Sequence, residues 1–222
     1  MRISHKHKFI FYAVNKTGSS SIRNYFFEEL VAENEPGVAT GLDDYSAWCH
    51  HHTTFRPVRK HFETMEHNYD DYLKFAFTRN PWDRELSKYH YIIKRRDKYG
   101  CPQAAKLLNK SDGGVSFEKW IKSDYYVSDA GAMIAMNLPQ YSWVDFNDPK
   151  FFVFSYENLQ KDFNSMCDMI GLKPRRLGHS EKGAYRTYND IPYMEYYDDE
   201  MNQIVAKKQA KDIKTFNYKF GE

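Results

Sequence analysis

Cysteine is scarce in this chain of 222 residues: there are three, Cys49, Cys101 and Cys167, and no Cys-x-x-Cys spacing. An odd, scattered set offers no disulfide framework and reads as free thiols in a reducing compartment. Long apolar runs are missing too. The run Phe9 to Val14 is far short of the about 20 residues that cross a bilayer. The basic stretch before it has no small-residue cleavage site, so it does not read as a signal peptide, and the expectation is a soluble, cytoplasmic chain. Nor does one sign of charge dominate. Lys and Arg number 32 against 30 Asp and Glu, a net charge of +2. That excludes the strongly basic footprint of a general nucleic-acid binder but leaves room for a local basic pocket. What is plentiful is aromatic: 18 Tyr and 16 Phe in a chain that is 28% charged, a globular composition. The length suits one domain, residues 1–222, and no internal repeat is visible.

The most informative stretch is Phe9 to Ile22. Phe9 to Val14 has the composition of a buried strand. A polar loop follows, with Asn15, Lys16, Thr17, Gly18 and Ser19, and then Ser20 and Ser21. Apolar residues resume at helical spacing with Ile22, Tyr25, Phe26 and Leu30. The unit is a strand, a tight loop and a helix. Gly18 permits unusual backbone angles and close approach of a ligand. The free N–H groups of a helix start favour an anion, and Lys16 adds a full charge. A phosphate or sulfate group fits there, against the plainer reading of a turn with a glycine where the backbone needs one. The Walker pattern is absent, because the lysine precedes the glycine.

A second strand, Tyr72 to Thr78, ends at Arg79-Asn80-Pro81-Trp82-Asp83-Arg84. Asn80 is a good N-cap, Pro81 suits the first helical position, and Asp83 falls where a carboxylate reaches back to the cap. The helix that follows should bury Leu86, Tyr89, His90 and Ile93. Arg79 therefore stands at the carboxyl end of a strand, where open α/β sheets bind ligands, and Ser87 lies one turn beyond Asp83. Phe151 to Tyr156 is a third strand. A helix with Leu159, Phe163, Met166 and Ile170 inward follows it and closes at Gly171. A short helix starts at Phe117, the charges of 56–69 read as a solvated face, and a last helix spans about 198–216. Together these give a three-layer α/β sandwich with a small central parallel sheet and a phosphate loop after its first strand.

The motifs resemble those of the sulfotransferases that use 3′-phosphoadenosine 5′-phosphosulfate. Asn15 to Ser21 resembles the P-loop-like phosphosulfate loop of the carbohydrate enzymes, Pro-Lys-Thr-Gly followed by small hydroxyl residues, with Asn15 in place of the proline. Phe75 to Ser87 resembles the family's 3′-phosphate motif, and Arg79 and Ser87 keep its separation, with Thr78 in place of a usual valine. Tyr156-Glu-Asn-Leu159 and Phe216-Asn-Tyr-Lys-Phe220 resemble an architectural segment and the closing segment of the same family. The resemblance implies that Lys16, Thr17, Gly18, Ser19, Ser20 and Ser21 hold the 5′-phosphosulfate and that Arg79 and Ser87 hold the 3′-phosphate. It implies less of the basic segment after Lys173, from which Lys182 and Arg186 carry over as loop residues that close on the nucleotide; a solvated basic loop is the other reading. Many eukaryotic relatives carry an N-terminal membrane anchor, so the expectation is either a soluble cytoplasmic form or a trimmed piece of a longer protein.

His50, His51 and His52 adjoin Cys49. A general base, a metal ligand and solvated loop histidines are all open on chemistry alone, although adjacent side chains make a poor metal set. The resemblance places a catalytic base in this part of the chain. His52, in His52-Thr-Thr-Phe55, fits best, and His50 is second.

The resulting expectation is sulfuryl transfer from the nucleotide donor to a hydroxyl acceptor, on a carbohydrate, with no metal. Lys16 would stabilise the leaving oxygen and His52 would take the acceptor's proton. A small-molecule kinase is the alternative; it needs Mg²⁺ and an acidic ligand, and no acidic residue closes the first strands. A non-catalytic nucleotide- or sulfated-glycan-binding module and a zinc-stabilised interaction protein are the others.

Overall fold

The computed structural model describes residues 1–32, 54–98, 100, 116–123, 138–178 and 191–222. The chain groups into two compact units, Met1–Thr78 with Gln140–Glu181, and Arg79–Pro139 with Lys182–Glu222.

The first unit is built on a four-stranded sheet of β1 (Arg2–Ser4), β2 (Phe9–Tyr12), β3 (Leu73–Thr78) and β4 (Phe151–Ser155), in that spatial order. The pairs β2–β3 and β3–β4 are parallel, as expected, while β1 is an antiparallel addition with Ile3 opposite Ile10. Its hairpin turns through Lys8, which takes a φ of 50°. The register aligns Phe11, Phe75 and Phe152 across three strands. One face of the sheet is therefore aromatic: Phe9, Phe11, Phe75 and Phe77 pack there with Phe152 and Phe154. Helix α1 (Ser19–Ala32) covers that face with Ile22, Tyr25, Phe26 and Leu30. A later helix, Leu159–Ile170, covers it with Phe163, Met166 and Ile170. Burying each such side chain is worth about 1.5–3 kcal/mol. Gly171 ends the later helix in the left-handed region, as its position after the apolar stripe predicts.

The opposite face is more polar. Tyr12 stacks on Phe151, and its hydroxyl lies 3.0 Å from that of Tyr69. Lys74, fully buried on the central strand β3, sits 2.9 Å from Asp148 and 4.3 Å from the centre of the Tyr69 ring. Helix α2 (Phe55–Phe62) buries Val58 and Phe62. Its Arg59 is exposed, as expected, and also donates to the buried Asp145 at 3.2 Å.

The second unit holds α3 (Pro81–Asp97), α4 (Phe117–Lys122), and α6 (Asp199–Lys208) with α7 (Ala210–Phe216); α5 is Leu159–Ile170 of the first unit. Trp82, Leu86, Ile92, Phe117, Trp120, Ile121, Met201 and Val205 form its core. Two expectations change. The final helix is broken at Gln209, whose φ of −108° leaves helical geometry. The start of α3 is buried on more than an apolar stripe, since Arg84, Glu85 and Lys88 are also inside. The two changes meet at Glu85. The Gln209 amide donates to Glu85 Oε1 at 3.0 Å, and Lys88 Nζ donates to the same oxygen at 2.7 Å. Arg84 donates to the carbonyl of Leu138 at 3.1 Å.

Burial, with the nearby Arg84 charge, pushes the Lys88 ammonium down from its ordinary 10.5 to about 8, against the pull of Glu85. Between those values the unfolded chain binds more protons than the folded one, so this group makes stability rise with pH from about 8 to about 10.5. Denaturant unfolding across that range should show the rise in the native chain and not in Lys88→Met. At pH 7 that variant should lose about 3–5 kcal/mol through the unpaired Glu85, and Glu85→Leu in the same chain should restore most of it.

Candidate active site

The chain leaves β2 abruptly. The Val14 N–H bonds back to the carbonyl of Tyr12 at 3.0 Å, so the strand ends before the apolar run does. Thr17, fully buried, turns its hydroxyl onto the Val14 carbonyl at 3.0 Å. Lys16 takes a φ of 67° and Gly18 a φ of 75°. Such left-handed residues belong to the turns from which anion-binding nests of N–H groups are built. Helix α1 then starts at Ser19, three residues before its first apolar position, and Ser21 N–H bonds to Gly18 at 3.1 Å. Its first turn carries no acidic side chain. Lys16, Ser20 and Ser21 are half-buried and Ser19 is buried. The structure thus gathers Lys16 to Ser21 on one turn and one helix start. This donor set suits a phosphate or sulfate: an ammonium, hydroxyls and helix N-terminal amides, with no carboxylate among them.

Gly18 has a second reason beside the backbone freedom its sequence context suggests. A Cβ there would lie 3.0 Å from Leu159 Cδ2 and 3.1 Å from Tyr156 Cδ2. The glycine is required by its left-handed φ and by these two side chains. The segment Tyr156–Leu159 follows β4 and backs the loop. It is itself held: Ser155 N–H donates to Asp162 at 2.8 Å, and Glu157 N–H donates to Ser155 Oγ at 3.2 Å. Sequence reasoning took this stretch as general architecture; the loop is the part it supports.

In the second unit, Asn80 caps α3 by accepting the Trp82 N–H at 3.2 Å, with Pro81 at the first helical position, as the residue order predicts. The Asn80 amide donates to the carbonyls of Lys219, at 2.8 Å, and Glu222. Trp82 Nε1 donates to Asn202, the Tyr197 hydroxyl donates to the Trp82 carbonyl at 2.8 Å, and the Phe220 ring meets the Trp82 ring edge-on. The closing segment thereby brackets the start of α3. Asp83 serves Arg79 rather than the cap: its Oδ2 lies 2.7 Å from both Nε and Nη2 of Arg79. The four-residue spacing was the available signal for this pair. Ser87 is half-buried one turn further along.

His50, His52, Lys182 and Arg186 lie outside the described residues, as do Cys49 and Cys101. Cys167 is buried behind the sheet, and burial pushes its thiol up to about 12. Among the described residues no three His, Cys, Asp or Glu side chains gather as a metal set. None of the described helices is long and apolar enough to cross a membrane.

A parallel α/β sheet whose first parallel strand turns through a tight glycine loop into a helix N-terminus is an arrangement suited to holding a phosphate or sulfate group. The chain belongs to the sulfotransferase family, whose model matches residues 1–219. It is accordingly an α/β sulfotransferase that moves a sulfuryl group from 3′-phosphoadenosine 5′-phosphosulfate. An uncharacterised protein of Archaeoglobus fulgidus is 32% identical over an alignment of 111 residues that covers 47% of this chain and 72% of that protein. No solved structure matches.

The contact at Gly18 can be separated from its backbone angle. Gly171 has a similar φ, 70°, but a Cβ there meets nothing within 4 Å. Gly171→Ala should cost about 1–2 kcal/mol of strain. Gly18→Ala should cost clearly more in the same chemical-denaturation assay, because Leu159 and Tyr156 must also move.

Proposed function

We propose that the chain transfers the sulfuryl group to a hydroxyl of a carbohydrate acceptor, by in-line attack with His52 as general base. What carries this reading is the loop at residues 15–21, where a lysine, hydroxyls and a helix N-terminus converge with no acid in the first turn. In this account Lys16, the amides of Thr17 to Ser21 and the serine hydroxyls hold the 5′-phosphosulfate, while the Thr17 hydroxyl stays on the Val14 carbonyl. Arg79 grips the 3′-phosphate by a planar fork and Ser87 by its hydroxyl. Lys182 and Arg186 close on the nucleotide. As the acceptor oxygen bonds to sulfur, its proton passes to His52, with His50 as the second candidate. The bond from sulfur to the bridging phosphate oxygen breaks, and Lys16 stabilises the charge left on that oxygen. Basic residues suffice here without a metal, because the sulfuryl group carries less charge than a phosphoryl group. The carbohydrate acceptor is supported by the likeness of residues 15–21 to the loop of carbohydrate sulfotransferases. The family match across both units supports one sulfotransferase domain over residues 1–222.

Calorimetric titration tests the donor. 3′-Phosphoadenosine 5′-phosphate should bind without Mg²⁺, and Lys16→Ala and Arg79→Ala should each weaken it by about tenfold or more. His52→Ala should leave this affinity in place while lowering turnover by about 10²–10⁴-fold. Binding of ATP with Mg²⁺, with no response to the 3′-phosphorylated nucleotide, would overturn the reading in favour of a kinase.

A further inference from the structure

Asp83 presents a conflict of sign. Arg79 is the residue assigned to a phosphate, yet one carboxylate oxygen of Asp83 sits 2.7 Å from both its Nε and its Nη2. A fixed negative charge beside an anion site repels the anion, so electrostatics alone makes Asp83 a handicap. Geometry argues the other way. An arginine that grips phosphate by a planar fork needs its plane fixed, and its long side chain otherwise loses that freedom on binding. Arg79 precedes α3 and Asp83 lies in its first turn, at i and i+4. Both side chains are mostly buried, at 13% and 24% exposure, so the pair is sheltered from the screening that weakens surface ion pairs. The start of α3 is in turn anchored by the Asn80 cap and by the Tyr197 hydroxyl on the Trp82 carbonyl. The carboxylate therefore stands on a rigid support and holds the guanidinium by one edge.

We infer that Asp83 is a positioning residue for the 3′-phosphate: by fixing the plane of Arg79 it sets the enzyme's preference for a nucleotide that carries that phosphate. This rests on the assignment of Arg79 made under Proposed function. The two signs give opposite outcomes, which makes the test sharp.

The experiment is calorimetric titration of the full chain and of Asp83→Asn, Asp83→Ala and Asp83→Glu with two nucleotides, 3′-phosphoadenosine 5′-phosphate and adenosine 5′-phosphate. Only the first has the 3′-phosphate. Asp83→Asn and Asp83→Ala should lose about tenfold in affinity for the first, the worth of one hydrogen bond to a charged group. They should bind the second as the native chain does, and Asp83→Glu should regain most of the preference. In turnover assays, KM for the donor should rise more than kcat falls. An unchanged or increased affinity for the 3′-phosphorylated nucleotide would overturn the inference, as would an equal loss for both nucleotides. A native chain that binds the two nucleotides equally would instead overturn the assignment of Arg79, and this inference with it.

Discussion

The loop proposed to hold the donor depends on one tight reversal. The chain must pass from a buried strand ending at Tyr12 to a helix starting at Ser19, and it does so with left-handed backbone at Lys16 and Gly18. A left-handed lysine is costly, by about 1–2 kcal/mol. It persists where its surroundings over-determine it. Two devices do so here. The Thr17 hydroxyl on the Val14 carbonyl holds the loop from within, and Tyr156 and Leu159 hold it from behind at Gly18. The aromatic face of the sheet then fixes α1, and with it the direction of its N-terminal amides. Strain, packing and anion chemistry are one structure at this point.

The second recurring device is the compensated buried charge. Lys74 on the central strand is met by Asp148 and the Tyr69 ring, and Lys88 on α3 by Glu85 and, through it, Gln209. Such pairs contribute little net stability against an apolar alternative, but breaking one is expensive. Their effect is on arrangement. Glu85 accepts from Lys88 and from Gln209 together, and Gln209 is the residue at which α6 gives way to α7. The helix that carries Arg79's partner and Ser87 is seated by that polar contact on one side and by the Asn80 cap on the other.

Much of this was legible because it is local. The parallel strands, the cap at Asn80, Pro81 in the first turn, the glycine stop at Gly171 and the short helix from Phe117 all follow from neighbours in sequence, and the structure has them. So is the α/β class, and the family match bears out the resemblance on which the sulfotransferase reading stood. What escaped was tertiary. Strand β1 is three residues long and is defined by its pairing with β2. The burial of Lys88 cannot be seen without Glu85 and Gln209 around it. Asp83 looked like a capping residue because the spacing fits both roles, and only the side-chain geometry shows that it takes Arg79. Gly18 was rightly singled out for its backbone, but the atoms that demand it come from residues far along the chain.

The central claim is that Lys16 and its loop serve the 5′ end of the nucleotide while Arg79 serves its 3′ end. Phosphorus NMR of 3′-phosphoadenosine 5′-phosphate reads the two ends separately, because each phosphate has its own resonance. On titration with the native chain both resonances should move. At saturation, Lys16→Ala should reduce the movement of the 5′ signal more than that of the 3′ signal, and Arg79→Ala the reverse. A 5′ signal that still moves fully with Lys16→Ala, or a native chain that moves neither resonance, would contradict the account.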